Sequence, residues 1–178
     1  LRRPHADGGP GGLRVEVLGL TADPVTSMGG LRILPSQTID AVDPDDVALL
    51  ILPGGERWEQ EPLEPALAEL LRDLEARGTP IAAICGATLA VTRLGLHRGR
   101  RHTSNGLEYL EAQVPGYAEQ AMYVEAPAVR DRGLITASGL GDVEFAKEIM
   151  TELGVLTEEE RQEWLRWFRA GRMPGGAE

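Results

Sequence analysis

The chain is short of cysteine, histidine, aromatic residues and positive charge. In 178 residues it has one cysteine, three histidines, three Trp, three Tyr and two Phe. A single cysteine excludes an internal disulfide, which fits a reducing cytoplasm. Cys85 and the scattered His5, His97 and His102 do not make the ligand set of a structural zinc site. No metal and no cofactor are therefore expected. Lys and Arg number 18 against 28 Asp and Glu, a net charge of −10. That balance argues against nucleic-acid binding and against an anionic membrane surface. No apolar run approaches the roughly 20 residues that span a bilayer, and the start carries no signal-peptide pattern. Repeats and dividing linkers are also lacking, so residues 1–178 read as one domain, long enough to bury a core.

What the chain does have is organised around residues 79–92. Ile81, Ala82, Ala83 and Ile84 form an all-apolar run between Gly78 and Pro80 on one side and Gly86 on the other. Such a run reads as a strand buried on both faces. Ala87, Leu89, Ala90, Val91 and Leu94 then follow helical spacing up to Gly95. The lone cysteine thus falls at a sharp turn from strand to helix, as in a nucleophile elbow with Cys in place of Ser. Amides at the start of the helix favour a thiolate there, and Gly86 permits the tight turn. A buried cysteine acting as a small hydrophobe is the other reading of the same position.

The rest of the chain supplies a frame for that turn. Residues 1–12 read as a loop. Residues 13–20 read as a strand, and Val25 with Thr26 pairs through a turn at Met28, Gly29 and Gly30 with residues 31–34. Residues 47–52 form a second buried strand, ending in Pro53, Gly54, Gly55 and Glu56. Those glycines serve either a plain tight turn or close backbone approach to a ligand. Leu63, Ala66, Leu67, Leu70, Leu71 and Leu74 mark an amphipathic helix. Residues 100–104, 123–126 and 128–130 are short strand candidates, and Leu107, Tyr109 and Leu110 suggest a short helix. Residues 134–137 form the last buried strand, followed by a helix from Asp142. Thr157 and Glu160 have capping-box spacing before a final helix bearing Trp164, Leu165, Trp167 and Phe168. That stripe packs on its own domain or forms a dimer contact. Residues 173–178 read as a tail. Alternating strands and helices predict an α/β fold with a parallel sheet and a ligand site at its carboxyl edge. Backbone amides of Gly55 and Gly86 would then form an oxyanion hole for a carbonyl attacked by Cys85.

Four segments together resemble the ThiJ/PfpI superfamily, which shares the fold of class I glutamine amidotransferase domains. They are Ile-Leu-Pro-Gly-Gly at 51–55, Ala-Ile-Cys-Gly-Ala-Thr-Leu-Ala at 83–90, Arg-His-Thr-Ser-Asn at 101–105 and Leu-Ile-Thr-Ala-Ser-Gly at 134–139. The resemblance implies a flavodoxin-like three-layer α/β sandwich with a mostly parallel sheet, a homodimer, and Cys85 as nucleophile or redox-sensitive thiol. It matches Gly55 and Gly86 to the backbone oxyanion positions. The sequence departs from the pattern in three places. Gly86 stands where protease-labelled relatives carry a histidine. Thr103, Ser104 and Asn105 stand where other relatives place one. The family's first strand and helix, with an acidic residue near the thiol, are expected to be missing, with Leu1, Arg2, Arg3 and Pro4 standing where that helix would end.

His102 is the candidate base by type, because imidazole titrates near neutrality and a strand at 100–104 puts it on one face with Ser104. An exposed loop histidine is the alternative. Gly54, Glu56, Ser104, Asn105 and Tyr123 are further pocket candidates. Three functions follow as expectations: a cysteine-dependent hydrolase or amidase-like enzyme acting on a small carbonyl or amide compound, a stress-response protein whose Cys85 is oxidised without classical turnover, or a non-catalytic scaffold.

Overall fold

The computed structural model describes residues 12–171. The expected loop before residue 12 and the tail over 173–178 lie outside them. Strand β1 (Leu18–Gly19) pairs in parallel with β4 (Gln37–Thr38). Between them β2 (Val25–Thr26) and β3 (Arg32–Ile33) form the expected antiparallel hairpin. The strand predicted over residues 13–20 shrinks to Leu18–Gly19. Val15 and Val17 are exposed, so their alternation has no sheet face to bury against.

The main sheet holds β5 (Leu50–Leu52), β6 (Ile81–Ile84), β7 (Ala128–Asp131) and β8 (Leu134–Ala137) in the order β5-β6-β8-β7. The first three in that order run parallel; β7 is antiparallel to β8. Its hairpin turns through Arg132 at φ 47° and Gly133 at φ 80°, the pair of positive angles that matches the twist of two adjoining strands. β6 and β8 occupy the sheet centre, which is why both read as unbroken apolar or small runs. Among the described residues no strand pairs with the outer edge of β5, and Ile51 is 46 % exposed.

Helices cover both faces, giving the flavodoxin-like α/β sandwich. After α1 (Arg57–Gln60) comes α2 (Pro65–Ala76). It starts with proline at its first position and buries Leu70, Leu71 and Leu74. With α3 (Thr88–Arg93) it packs on Leu50, Leu52, Ile81 and Ala83. Leu71 and Leu74 are wholly buried, each stabilising the fold by about 1.5–3 kcal/mol. On the opposite face, Phe145 of α5 (Asp142–Glu152) lies over Ala82, Ile135 and Ala137. α4 (Leu107–Gln113) closes a third cluster with Leu89 through Leu110. α6 (Glu158–Ala170) has the predicted capping box and packs on α5.

The strand expected over residues 100–104 is reduced to one bridge between His102 and Tyr123. α1 was not anticipated. Because β5, β6 and β8 are parallel, the segments that follow them emerge at one sheet edge. Gly54 and Gly55, then Cys85, then Ser138 and Gly139 meet there.

Candidate active site at the carboxyl edge

Cys85 leaves β6 at φ 59°, one of three non-glycine residues with positive φ in the described chain. This left-handed angle costs a non-glycine residue energy and persists only where the surroundings enforce it. A 3₁₀ turn over Cys85–Ala87 leads directly into α3. The Thr88 hydroxyl donates to the Cys85 carbonyl at 2.6 Å. Ser104 Oγ lies 2.6 Å from the same hydroxyl and must therefore be its donor.

Small residues let three segments close on the thiol. A Cβ on Gly54 would sit 2.8 Å from the Cys85 Cβ, and one on Gly139 would sit 3.0 Å from Sγ. One on Gly86 would meet the Gly55 carbonyl oxygen at 2.6 Å. The glycine loop is pinned from outside, where Trp58 Nε1 donates to the Pro53 carbonyl at 2.9 Å. Cys85 opens into a pocket of about 480 Å³ lined by Met28, Gly54, Gly55, Glu56, Glu59, Ile84 and Gly139. Gly139 also borders a second cleft of about 630 Å³, to which Ser104, Asn105 and Glu125 contribute.

The hydrogen-bond partner of the sulfur is Asn105, whose Nδ2 donates to Sγ at 3.5 Å. The Gly139 N–H donates to Asn105 Oδ1 at 2.9 Å. That bond settles which end of the amide faces the sulfur, because only the oxygen accepts. Tyr109 of α4 donates to Glu59 Oε1 at 2.7 Å and also contacts the Asn105 side chain. Burial, then the bond to Glu59 and its charge, push the Tyr109 phenol well above its usual range, so it stays protonated.

His102 is not at the thiol. Its ring is 1 % exposed, with Nδ1 2.8 Å from the Arg100 carbonyl oxygen and Nε2 2.6 Å from the Tyr117 hydroxyl. The carbonyl can only accept, so Nδ1 carries a proton, and Nε2 is held by the Tyr117 hydroxyl, which also donates to the Glu119 carbonyl at 3.3 Å. Tyr123 packs edge-on to His102 at 6.0 Å, with its hydroxyl buried, rather than lining the pocket. His97 completes this cluster, stacked on Tyr117 at 5.6 Å.

Of the residues singled out in the sequence, Gly54, Gly55, Glu56 and Cys85 line one pocket. Asn105 touches the sulfur, Gly86 adjoins Gly55, and Ser104 braces the turn from below. Glu59, Tyr109 and Gly139 were missed as site residues. Glu59 had a local signal, since it lies three residues after Glu56 and one helical turn puts both on one side. Tyr109 had none, because only the docking of α4 brings it in. Among the described residues no group of three or more His, Cys, Asp or Glu is placed to hold a metal ion, and no helix is long and apolar enough to cross a membrane.

Comparison with known proteins agrees with this architecture. The chain is 38% identical over 154 residues to the uncharacterized protease YoaZ of Bacillus subtilis, covering 86% of this chain and 73% of that one. It is 32% identical over 80 residues to the deglycase PfpI of Pyrococcus furiosus, covering 45% and 48%. The crystal structure of a thiJ/pfpI family protein from Bacillus anthracis superposes with a TM-score of 0.81 at 37% identity, covering 87% and 73%. With residues 2–152 matching the family as a whole, the chain belongs to the DJ-1/PfpI family.

Proposed function

We propose that the protein is a hydrolase that uses Cys85 as a nucleophile on a small carbonyl or amide compound. One observation carries this reading: the thiol is held at a positive-φ elbow, opens into a pocket at the carboxyl edge and receives a hydrogen bond from Asn105. Cys85 Sγ adds to the carbonyl carbon, and the carbonyl electron pair moves to oxygen. The N–H groups of Gly55 and Gly86 receive that oxyanion. Collapse expels the leaving group with a proton and leaves a thioester, which water cleaves to restore the thiol. Glu56, on the pocket wall, takes the thiol proton; both nitrogens of His102 are committed elsewhere. The names protease and deglycase carried by relatives support hydrolytic chemistry.

The test is turnover of a panel of small amides, esters and aldehyde adducts by the wild type and Cys85→Ala. Removal of the nucleophile should lower turnover at least about 10³-fold with the melting temperature nearly unchanged. Full turnover by Cys85→Ala would overturn the reading.

A second reading is favoured by the lack of an imidazole at the sulfur among the described residues. Its polar partner there is a donor, which suits an anionic sulfur, including a sulfinate. Thiolate and peroxide then give sulfenate and water, and a second peroxide gives sulfinate. Mass spectrometry of peroxide-treated protein separates the two: rapid gain of two oxygens without any hydrolysis selects the second.

A further inference from the structure

We infer that Tyr109 and Glu59 are positioning residues that hold Asn105 as a hydrogen-bond donor to Cys85. The inference rests on Cys85 being the reacting group. It follows from the direction of each bond. Glu59 carries no proton when ionised and can only accept, so the Tyr109 hydroxyl spends its proton there. Tyr109 then faces Asn105 with an oxygen lone pair. Asn105 Oδ1 is already held by the Gly139 N–H, so Nδ2 is the group that turns to Tyr109. Nδ2 has two protons, one for the Tyr109 oxygen and one for the Cys85 sulfur. Each link leaves the next a single role, and the last is a fixed donor to sulfur. An N–H aimed at sulfur stabilises the thiolate over the thiol.

The parts come from elements remote in sequence: α1 brings Glu59, the elbow brings Cys85, α4 brings Tyr109, and the loop after β8 brings Gly139. Asn105 stands just before α4 and touches the last three. A proton acceptor in place of Asn105 would favour the thiol; Asn105 presents a donor to the sulfur instead. Among the described residues, the titratable groups facing the sulfur are Tyr109 from α4 and the pocket residues Glu56 and Glu59.

The charge of Glu59 and its positioning role act with opposite sign. As a bare negative charge beside the pocket, Glu59 disfavours the thiolate; as the anchor of Tyr109 it favours it. The experiment is the rate of Cys85 alkylation by uncharged iodoacetamide from pH 5 to 10. It compares the wild type, Tyr109→Phe, Glu59→Ala and the double variant, with thermal melting of each. Tyr109→Phe keeps the ring and should slow labelling at pH 7 about three- to tenfold, the size of one hydrogen bond. Glu59→Ala should speed labelling in the Tyr109→Phe background, where only its charge remains, and fail to do so in the wild type. A Tyr109→Phe profile that superposes on the wild type would overturn the inference, as would a Glu59→Ala effect equal in both backgrounds. Glu59 is exposed, so its variant remains testable if Tyr109→Phe folds poorly. None of these readouts depends on turnover, so the hydrolase reading can fail while this one stands.

Discussion

His97 is buried with one ring nitrogen, Nδ1, lacking a hydrogen-bond partner among the described residues. Burial first, then repulsion from His102, lower it from 6.5 to about 4, with Glu119 opposing. The sign follows from linkage. The unfolded chain binds a proton near pH 6.5 that the folded chain refuses until about pH 4. His97 therefore contributes its full stability above 6.5 and loses it as pH falls toward 4, on the order of 3 kcal/mol in all. Asp131 is held below the usual carboxylate range by the Arg101 amide and Arg132, so its own contribution disappears only at lower pH. Urea midpoints should fall between pH 7.5 and 5 in the wild type and fall less in His97→Gln. A second residue-scale prediction concerns Gly139. A methyl there lies 3.0 Å from Sγ, so Gly139→Ala should slow Cys85 alkylation roughly threefold or more by crowding the sulfur, with little change in melting temperature. Among single residues, the sequence was most informative where backbone chemistry dictates the choice, as at Gly54, Cys85 and Gly86. It misled at His102, where residue type pointed to the thiol while a cluster of Tyr117, Tyr123 and His97 had claimed the ring. Asn105 was named only as one pocket candidate, because an amide announces no chemistry until its partners are seen.

At the scale of elements, legibility followed burial. β6 and β8 are flanked on both sides and covered on both faces, so their apolar runs coincide with the predicted strands. β1 and the segment at 100–104 lack such surroundings and keep only a two-residue pairing and a single bridge. α1 is a single turn with no buried residue, hence no periodicity to read. α6 was legible at its start because its signal is local. The Thr157 side chain accepts from the Glu160 N–H at 3.3 Å, and the Glu160 carboxylate accepts from the Thr157 N–H at 2.7 Å. Its aromatic stripe was ambiguous and proves divided: Leu165 is buried, while Phe168 is 58 % exposed beside Trp164. α6 is tied to α5 through Arg169 Nε and Glu144 Oε1 at 2.8 Å. Thr157→Ala should thus cost about 1 kcal/mol, the usual worth of an N-cap, read as a lower urea midpoint. Alkylation of Cys85, far along the chain and on another element, should be unchanged.

Over the whole molecule, the net charge of −10 and the pocket have the same sign. Glu56 and Glu59 line the pocket with Cys85, and among the described residues no Lys or Arg does; Glu125 borders the adjoining cleft. An anionic compound approaching the sulfur meets both the general field and these two carboxylates. Each unit charge near 4 Å is worth about 1 kcal/mol in water, and exposed groups at longer range are worth less. A several-fold bias against anions is therefore expected, and the compounds that fit are neutral or cationic. Iodoacetate and iodoacetamide are alkylating agents of nearly equal size that differ by one negative charge. Their rate ratio on Cys85, divided by the ratio on a neutral model thiol, should be roughly three- to tenfold low at low ionic strength. It should rise toward unity in molar salt, as the Debye length shrinks to ~3 Å. A single cysteine makes the labelled site unambiguous. A ratio equal to that of the model thiol and indifferent to salt would show that the carboxylates do not sense the reacting position, and the restriction to uncharged or cationic substrates would fall with it.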